Sequence, residues 1–596
     1  MNDDIISHIS EEAYANLILW QNDDKFIEQR TELESLLASQ DWPEIEDAFY
    51  TRVRVGTGGI RGKVAVGPNR INIRTIGEAA QGLSRFIEDF GEEAKIKGVV
   101  VGHEVRKSSE EFAKVCCEVF AANGIKTWLF DGIRSTPEIS FAVRHLGATA
   151  GVQITASHNP RTDNGFKFYW TDGGQVVSPL DLRFMDMVQS VDTIPSIDYD
   201  DALKKGLVQV VGKDIDDAYY AAVQGLSLIE SRSAAVTYSP IHGAGITNVL
   251  PVLQNAGFEV QTVSEQIEPD GRFPTAYGNL INPEFYEVME LAIKRGEEQG
   301  ADVVLMSDPD ADRLGVAARK NLDNTSLVQL SGNEIGIALT AFIIEQLKVK
   351  GQLPENGLVI KTNVTSSMVS AIARGENLES IDDLLVGFKF IGEIIEKLKD
   401  KDQFVFAAEE SLGYLRGTFV RDKDAAITAL LTAELVSWLK DQNKTVFDYL
   451  DEQYIKYGYF KNVLHYIELR GGREDKERIA NIMKGLYANQ PTEIIGIIIL
   501  EHEDRLPAEK RNPETYVPGW TGDQLAYYLS EDKLSKIVVR PSGTEPVAKV
   551  YIQYFSEVRG NLAEVKQRVD KQVADLERDF VAICETHMNV QTTLDQ

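Results

Sequence analysis

Short apolar, β-branched runs that end in a polar turn and lead into helical periodicity constrain this chain more than any other feature. "IKGVVVG" is followed by "SSEEFAKVCCEVFAANG", "AAVTYSP" by "GITNVLPVLQNAG", and "GLVIKTN" by "SSMVSAIARG". Strand, turn, helix is the signature of α/β units on largely parallel sheets, because parallel neighbours need a crossover connection. The three units start near residues 97, 234 and 357, so one supersecondary pattern recurs while its letters do not. With 596 residues the chain is several times longer than a domain of about 150 residues, which predicts three to five domains with ample core. Polar, turn-rich stretches near 210, 322 and 455 divide it into domains of 1–210, 211–322, 323–455 and 456–596. After the last seam, the β-like runs "KNVLHYIEL", "EIIGIIIL", "KIVVR" and "AKVYIQYF" interleave with two helical stretches, which predicts a smaller α+β closing domain.

Charge and composition exclude some partners. Asp and Glu outnumber Lys and Arg by 92 to 62, a net charge of −30, so most of the surface repels nucleic acid and anionic lipid. An anionic small molecule would need its own cluster of basic groups. The longest apolar runs, "IGIALTAFII" and "IIGIIIL", fall short of the roughly 20 residues a spanning helix requires. The acidic amino terminus lacks a secretory pattern, and Cys116, Cys117 and Cys584 are an odd trio without a CxxC pair; both predict a cytoplasmic protein.

Four loops carry chemistry. "GVQITASHNP" (151–160) presents Ser157 beside His158 directly after an apolar run. Ser, Asn and Pro are ordinary turn formers, so the serine gains meaning only from chemistry supplied elsewhere. "ADVVLMSDPDADRLG" (301–315) runs a buried-type strand into Asp308, Asp310 and Asp312; spacing by two turns carboxylates of an extended segment toward one point. Without a cation they would repel one another, and hard oxygen ligands suit Mg²⁺ or Ca²⁺. An EF-hand fails here, since Arg313 and Arg319 stand where that loop requires Gly and Glu. "FVFAAEESLGYLRGTFVRDKDA" (404–425) offers Glu409, Glu410 and Ser411, groups suited to sugar hydroxyls, with Arg421 and Lys423 behind. "KIVVRPSGTEPVAKVYI" (536–552) joins Arg540, Ser542, Gly543 and Thr544 into a phosphate cradle, because Gly admits an oxyanion close to backbone N–H groups and Arg provides a fork. "GTGGIRG" adds a flexible loop with Arg61. A hydroxyl beside a divalent cation and a phosphate cradle reads as a nucleophile that is phosphorylated and dephosphorylated by turns.

In this order "TASHNP", "DPDADR", "EESLGY" and "RPSGTEP" closely resemble the loops of the α-D-phosphohexomutase superfamily, the phosphoglucomutases and phosphomannomutases, over nearly the whole chain. "GTGGIRG", "NGFKFYW", "STPEIS", "PDGRFPTAYGNLINPE" and "VGFKFIGE" resemble it as well. The resemblance implies an α/β protein of four domains around a central cleft, three sharing one mixed-sheet topology, with a smaller α+β C-terminal domain. It implies Ser157 as the phosphoserine, joining Asp308, Asp310 and Asp312 on Mg²⁺. Arg61 and Arg313 would lie near the transferring phosphoryl group, and Glu409, Ser411 and Lys423 at the substrate. Arg540, Ser542, Gly543, Thr544 and Lys549 would hold the phosphate that is not transferred. Lys167, Lys389 and His158 are the candidates for proton transfer. The implied activity is interconversion of glucose 1-phosphate and glucose 6-phosphate through glucose 1,6-bisphosphate, by a monomer or homodimer.

The chain departs from that pattern at His103 and Glu104, where many relatives show Tyr-Asp, at Gly58, at Val386 and at Lys549, which bears on sugar preference more than on reaction type. The double glutamate of "EESLGY" resembles glucose-using members; phosphomannomutase and phosphopentomutase are the alternatives on the same scaffold. An aspartyl-phosphate phosphatase with Asp308 as nucleophile would leave "TASHNP" and "RPSGTEP" without a role, and a silent sugar-phosphate sensor would leave the chemical residues without one.

Overall fold

The computed structural model describes residues 5–53, 55–56, 59–469, 473–505, 523–542 and 547–588. Its first sheet holds seven strands, β1 (Val55–Gly56), β2 (Gly59–Lys63), β3 (Val99–His103), β4 (Thr127–Phe130), β5 (Ala150–Ile154), β6 (Asp163–Tyr169) and β7 (Val208–Val211), in the order β1-β2-β6-β5-β3-β4-β7. The second holds β8 (Val236–Ser239), β9 (Val260–Thr262), β10 (Val303–Ser307), β11 (Leu314–Arg319) and β12 (Leu327–Leu330), in the order β12-β11-β10-β8-β9. The third holds β13 (Leu358–Thr362), β14 (Glu379–Leu384), β15 (Phe404–Glu409) and β16 (Gly413–Leu415), in the order β14-β13-β15-β16.

One unit is common to all three. In the first sheet β3 pairs parallel with β4 and β5, and β6 returns antiparallel beside β5. β8, β9, β10 and β11 repeat that scheme, as do β13, β14, β15 and β16. Helices make the parallel crossovers: Ser109–Ala122 and Thr136–Leu146, then Gly245–Asn255 and Tyr286–Gln299, then Ser367–Gly375 and Phe388–Lys397. Every residue of β3, β5, β10, β13 and β15 is buried, as expected of strands covered by helices on both faces. The helix Thr136–Leu146 shows why such crossovers start where they do. Ser135 and Glu138 form a capping box, Pro137 preorganises the first turn, and Gly147 ends the helix in the left-handed region.

Two predicted seams move. The polar stretch near 322 is a turn inside the second sheet, since β12 still pairs antiparallel with β11. The seam at 455 falls in the last turn of the helix Val446–Tyr457, and the chain enters the closing domain through Gly458, at φ +97°. Composition records polarity but not whether the next strand joins the sheet just left. The closing domain is a five-stranded antiparallel sheet of β17 (Tyr459–Glu468), β20 (Glu501–Asp504), β21 (Leu525–Tyr528), β22 (Lys536–Pro541) and β23 (Val547–Ser556), in the order β17-β23-β22-β21-β20. The hairpin β18 (Glu493–Ile494) and β19 (Ile497–Ile498) stands apart, and the helices Arg473–Ala488 and Leu562–Met588 complete the domain.

Before the first sheet, the helices Glu11–Asn22, Arg30–Ser39 and Trp42–Phe49 enclose their own core around Leu17, Trp20, Phe26 and Phe49. Arg70, buried, ties this cap to the first domain through Glu44 at 3.0 Å and Asp47 at 2.9 Å. Lys476 of the closing domain donates to Tyr50 Oη at 3.1 Å, so the cap touches both the first domain and the closing domain. No helix among the described residues is long and apolar enough to cross a membrane.

Candidate active site

The repeated unit places one turn at the same point three times, between its third strand and the antiparallel return. β5 runs into Ser157, β10 into Asp308, and β15 into Glu410 and Ser411. Each turn reverses through a residue with a Cβ in the left-handed region: Ser157 at φ +54°, Ala311 at +51° and Leu412 at +67°. That conformation is uncommon for such residues and collects at functional sites.

Contacts between domains bring the turns together. Asp308, Asp310 and Asp312 are buried, each with a carboxylate oxygen within 4.8 Å of the others. Ser157 Oγ donates to Asp308 Oδ2 at 3.2 Å. Asp308 Oδ1 accepts the N–H groups of Asp312 (3.1 Å) and Arg313 (3.0 Å), which curls the turn around it. Lys167 Nζ donates to Asp310 Oδ2 (2.6 Å) and Asp312 Oδ2 (2.8 Å), Thr136 Oγ1 donates to Asp310 Oδ2 (2.6 Å), and Lys423 Nζ lies 2.9 Å from Asp312 Oδ2. Asp310 Oδ1 and Asp312 Oδ1, though buried, have no hydrogen-bond partner. Two orphaned carboxylate oxygens beside Asp308 are a hard-oxygen donor set that fits a divalent cation.

The electrostatics agree. Burial and the neighbouring Asp312 and Asp310 push Asp308 well above the usual carboxylate range. Burial opposes ionisation of Asp312 too, yet Lys167, Lys423 and Arg313 outweigh it and hold that group low. His158 Nδ1 lies 3.3 Å from Ser157 Oγ. Burial, then Arg313, Arg61 and Lys549, push its imidazole well below the ordinary value, which sets Lys549 of the closing domain in electrostatic range of the serine turn. Arg61 on β2 is opposite Gly165 of β6 and feels Asp310 and Asp312.

Two glutamates and a serine, Glu409, Glu410 and Ser411, stand at the third turn. Glu409 Oε1 accepts the Gly387 N–H at 3.0 Å, and burial pushes its carboxyl up to about 7 against the pull of Lys423. Ser411 is half-buried. Glu410, on which the glucose preference was read, is held in its own domain through Oε2, which accepts the hydroxyls of Thr365 (3.1 Å) and Thr362 (3.4 Å), and it also lines a cavity with Glu284 and Tyr551. Lys389 is paired with Asp181 of the first domain at 3.0 Å, and Lys167 is committed to the aspartates. Of the three proton-transfer candidates, His158 is the one with a hydrogen-bond contact to Ser157 Oγ. In the closing domain Arg540 and Lys549 face each other across β22 and β23, and Ser542 N–H donates to Val547 O at 2.7 Å. Gly543 and Thr544 lie outside the described residues.

Comparison with known proteins gives this arrangement its family. Residues 52–193, 217–321 and 331–457 match, in turn, the alpha/beta/alpha domains I, II and III of phosphoglucomutase/phosphomannomutase. A phosphoglucomutase of Staphylococcus haemolyticus is 32% identical over 517 residues, 85% of this chain and 91% of that one. The chain belongs to this family. A phosphoglucomutase of Staphylococcus aureus is 31% identical over 568 residues, covering 92% of this chain and 95% of its own. Two solved structures share the fold: a phosphoglucomutase/phosphomannomutase family protein of Burkholderia thailandensis, with TM-score 0.62, 15% identity and coverage of 90% of this chain and 99% of that one, and the open form of parafusin from Paramecium, with TM-score 0.60, 17% identity and coverage of 90% and 96%. The protein is therefore an α-D-phosphohexomutase, an enzyme of phosphoryl transfer, with a buried aspartate triad able to hold a metal ion.

The phosphohexomutase site contains groups that motif reading passed over. Thr136 holds Asp310 by hydroxyl and by N–H; it lies in the quoted "STPEIS", and its place directly after the Ser135 cap was the available signal. Tyr169 Oη and Gln175 Nε2 both donate to Asp422 (3.0 and 2.8 Å), which joins the first and third domains beside Lys423. Spacing along one segment carries no trace of such pairings.

Proposed function

We propose that this phosphohexomutase interconverts α-D-glucose 1-phosphate and glucose 6-phosphate through a phosphoserine at Ser157 and glucose 1,6-bisphosphate, with Mg²⁺ as its metal. The observation that carries the reading is the 3.2 Å contact between Ser157 Oγ and Asp308 Oδ2 at the edge of the buried triad. Asp308, Asp310, Asp312 and an oxygen on Ser157 would hold the cation, which when bound supplies a Lewis acid toward the phosphoryl oxygens.

The protein's own groups do the rest. In the first half-reaction the bond from phosphorus to Ser157 Oγ breaks, and a bond forms to the free hydroxyl oxygen of the sugar monophosphate. The proton that the hydroxyl loses is the one that Oγ gains, and His158, 3.3 Å from Oγ and kept neutral by burial and its cationic neighbours, is placed to relay it. The bisphosphate reorients, and the second half-reaction runs in reverse from its other phosphate. Arg61 and Arg313 are fixed cations for the charge on the moving group, already oriented before reaction. Glu409 and Ser411 accept and share hydrogen bonds with sugar hydroxyls, Lys423 adds a charge beside them, and Arg540, Ser542, Gly543, Thr544 and Lys549 form the cradle for the resting phosphate.

Relatives named phosphoglucomutase support glucose. The hydrogen bonding of Glu410 supports a second reading, mannose or pentose phosphates on the same scaffold, because the residue that resembled glucose-using members is engaged by Thr365. The test is a panel of glucose, mannose, N-acetylglucosamine, ribose and deoxyribose 1-phosphates with Mg²⁺, ranked by kcat/KM. Glucose should lead; a pentose or mannose phosphate ahead by tenfold would install the second reading. Acid-stable phosphate on Ser157 is expected by mass spectrometry, and a hydroxylamine-labile acyl phosphate instead would move the chemistry to Asp308.

A further inference from the structure

The turn that carries Ser157 is gripped from behind by a side chain that the reaction scheme does not use. Arg106, just past the end of β3, has a fully buried side chain, and each of its five N–H donors has an acceptor. Nε donates to Glu104 Oε1 (2.6 Å), Nη1 to the carbonyls of Pro160 (2.6 Å) and Asp163 (2.8 Å), and Nη2 to those of Ser157 (2.6 Å) and Asn159 (2.6 Å). Glu104 Oε1 also accepts Thr155 Oγ1 (2.9 Å), and Thr155 Oγ1 accepts the Ser157 N–H (2.7 Å). One connected network thus holds Ser157 by its N–H and by its carbonyl, the two groups that keep the residue at φ +54°, where a residue with a Cβ does not rest unaided.

The second domain forms the outer wall of this grip. Arg106 makes a backbone bridge to Gly271, a position where a Cβ would come 2.3 Å from Val105 O. The ring of Phe273 lies 5.7 Å from the guanidinium. Arg161 of the serine turn donates to Asn279 Oδ1 (3.2 Å) and Arg272 O (3.3 Å). Gly271, Arg272, Phe273 and Asn279 belong to "PDGRFPTAYGNLINPE", a segment with no part in the chemistry above, in the domain that also supplies the aspartate triad.

We propose that Arg106, seated between Glu104 and the 269–284 segment of the second domain, is a positioning residue that sets the geometry of Ser157 and registers it against Asp308, Asp310 and Asp312. A lysine keeps the charge but has neither the planar fork nor the donors to reach four carbonyls, and a displacement of about 1 Å at a reacting group costs on the order of 100-fold in rate.

The inference rests on Ser157 being the phosphoryl carrier, and the experiment separates the two. Parent, Arg106→Lys, Thr155→Val and Thr155→Ser are charged with glucose 1,6-bisphosphate, phosphate on Ser157 is measured by mass spectrometry, and kcat and KM are measured per folded molecule with glucose 1-phosphate. Arg106→Lys should lose about 100-fold in kcat with KM within about threefold, and charge Ser157 more slowly. Thr155→Val should lose kcat and Thr155→Ser should recover it. An unphosphorylated parent sinks the carrier reading itself. A phosphorylated parent with Arg106→Lys equally fast overturns the positioning role alone; if Arg106→Lys does not fold, equal kcat for the two Thr155 variants overturns it.

Discussion

The Ser157 turn of the first domain and the Glu410–Ser411 turn of the third, the proposed sugar turn, occupy the same place in the same fold, yet they are fixed by different means. The serine turn between β5 and β6 is the longer and depends on Arg106, whose guanidinium binds four of its carbonyls. The sugar turn between β15 and β16 needs no such anchor. Its strands pair up to Glu409 and Gly413, the Glu410 N–H donates to Thr365 Oγ1 at 3.1 Å, and Leu412 O accepts the Leu314 N–H at 3.1 Å. The contrast teaches where positional tolerance lies. On the proposed roles, a group that makes and breaks a covalent bond must be held within a fraction of an ångström, whereas hydroxyl recognition tolerates small shifts, so a short hairpin suffices.

That contrast can be broken by removing one hydroxyl from each turn. Ser157→Ala should cost a factor on the order of 10⁴ or more in kcat, since the proposed phosphoryl carrier is gone. Ser411→Ala should cost about tenfold, chiefly in KM, the size of one hydrogen bond. Steady-state kinetics on both variants decides, and comparable losses would end the distinction. Next in size, Asp310→Asn should lower activity about 100-fold and raise the Mg²⁺ needed for half-saturation; an unchanged metal titration would place the cation elsewhere. The smallest effect lies behind the turns. Burial and Asp216 push Glu138 up to about 8 from 4.5, so the folded protein keeps a proton that the unfolded chain releases. That contribution is fully present below pH 4.5 and is lost as pH rises through about 8. Glu138→Gln retains an acceptor for the Ser135 cap, and its Tm relative to the parent should improve from pH 5 to pH 9. A constant difference would refute the shift.

Much of the fold was legible because parallel sheets write themselves as buried runs followed by helical periodicity, and the three units at 97, 234 and 357 are the three repeated sheets. The candidate residues at strand ends, Ser157, the aspartates and Glu409, could be picked out for the same reason: a chemical side chain directly after a buried strand stands out against it. Residues that act across domains were not. Lys167 read as a free base because its partners, Asp310 and Asp312, are distant in sequence; β6 aims it at them only once the first and second domains meet. His103 and Glu104 read as departures in "GHEVRKSS", and Arg106 beside them drew no reading, since a buried arginine that binds carbonyls has the same letter as a surface one. The cap around Trp20 and Phe49 was assigned to the first domain because its short amphipathic helices carry no breaker sharp enough to mark a boundary.

Each chemical turn interrupts an antiparallel hairpin at the rim of its own sheet, flanked by strands whose side chains are buried. One fold position thus carries three different turns. On the proposed roles, changing Ser411, half-buried between Glu410 bound to Thr365 and Leu412 bound to Leu314, would alter sugar preference while the Ser157 turn and the aspartate triad keep their own supports.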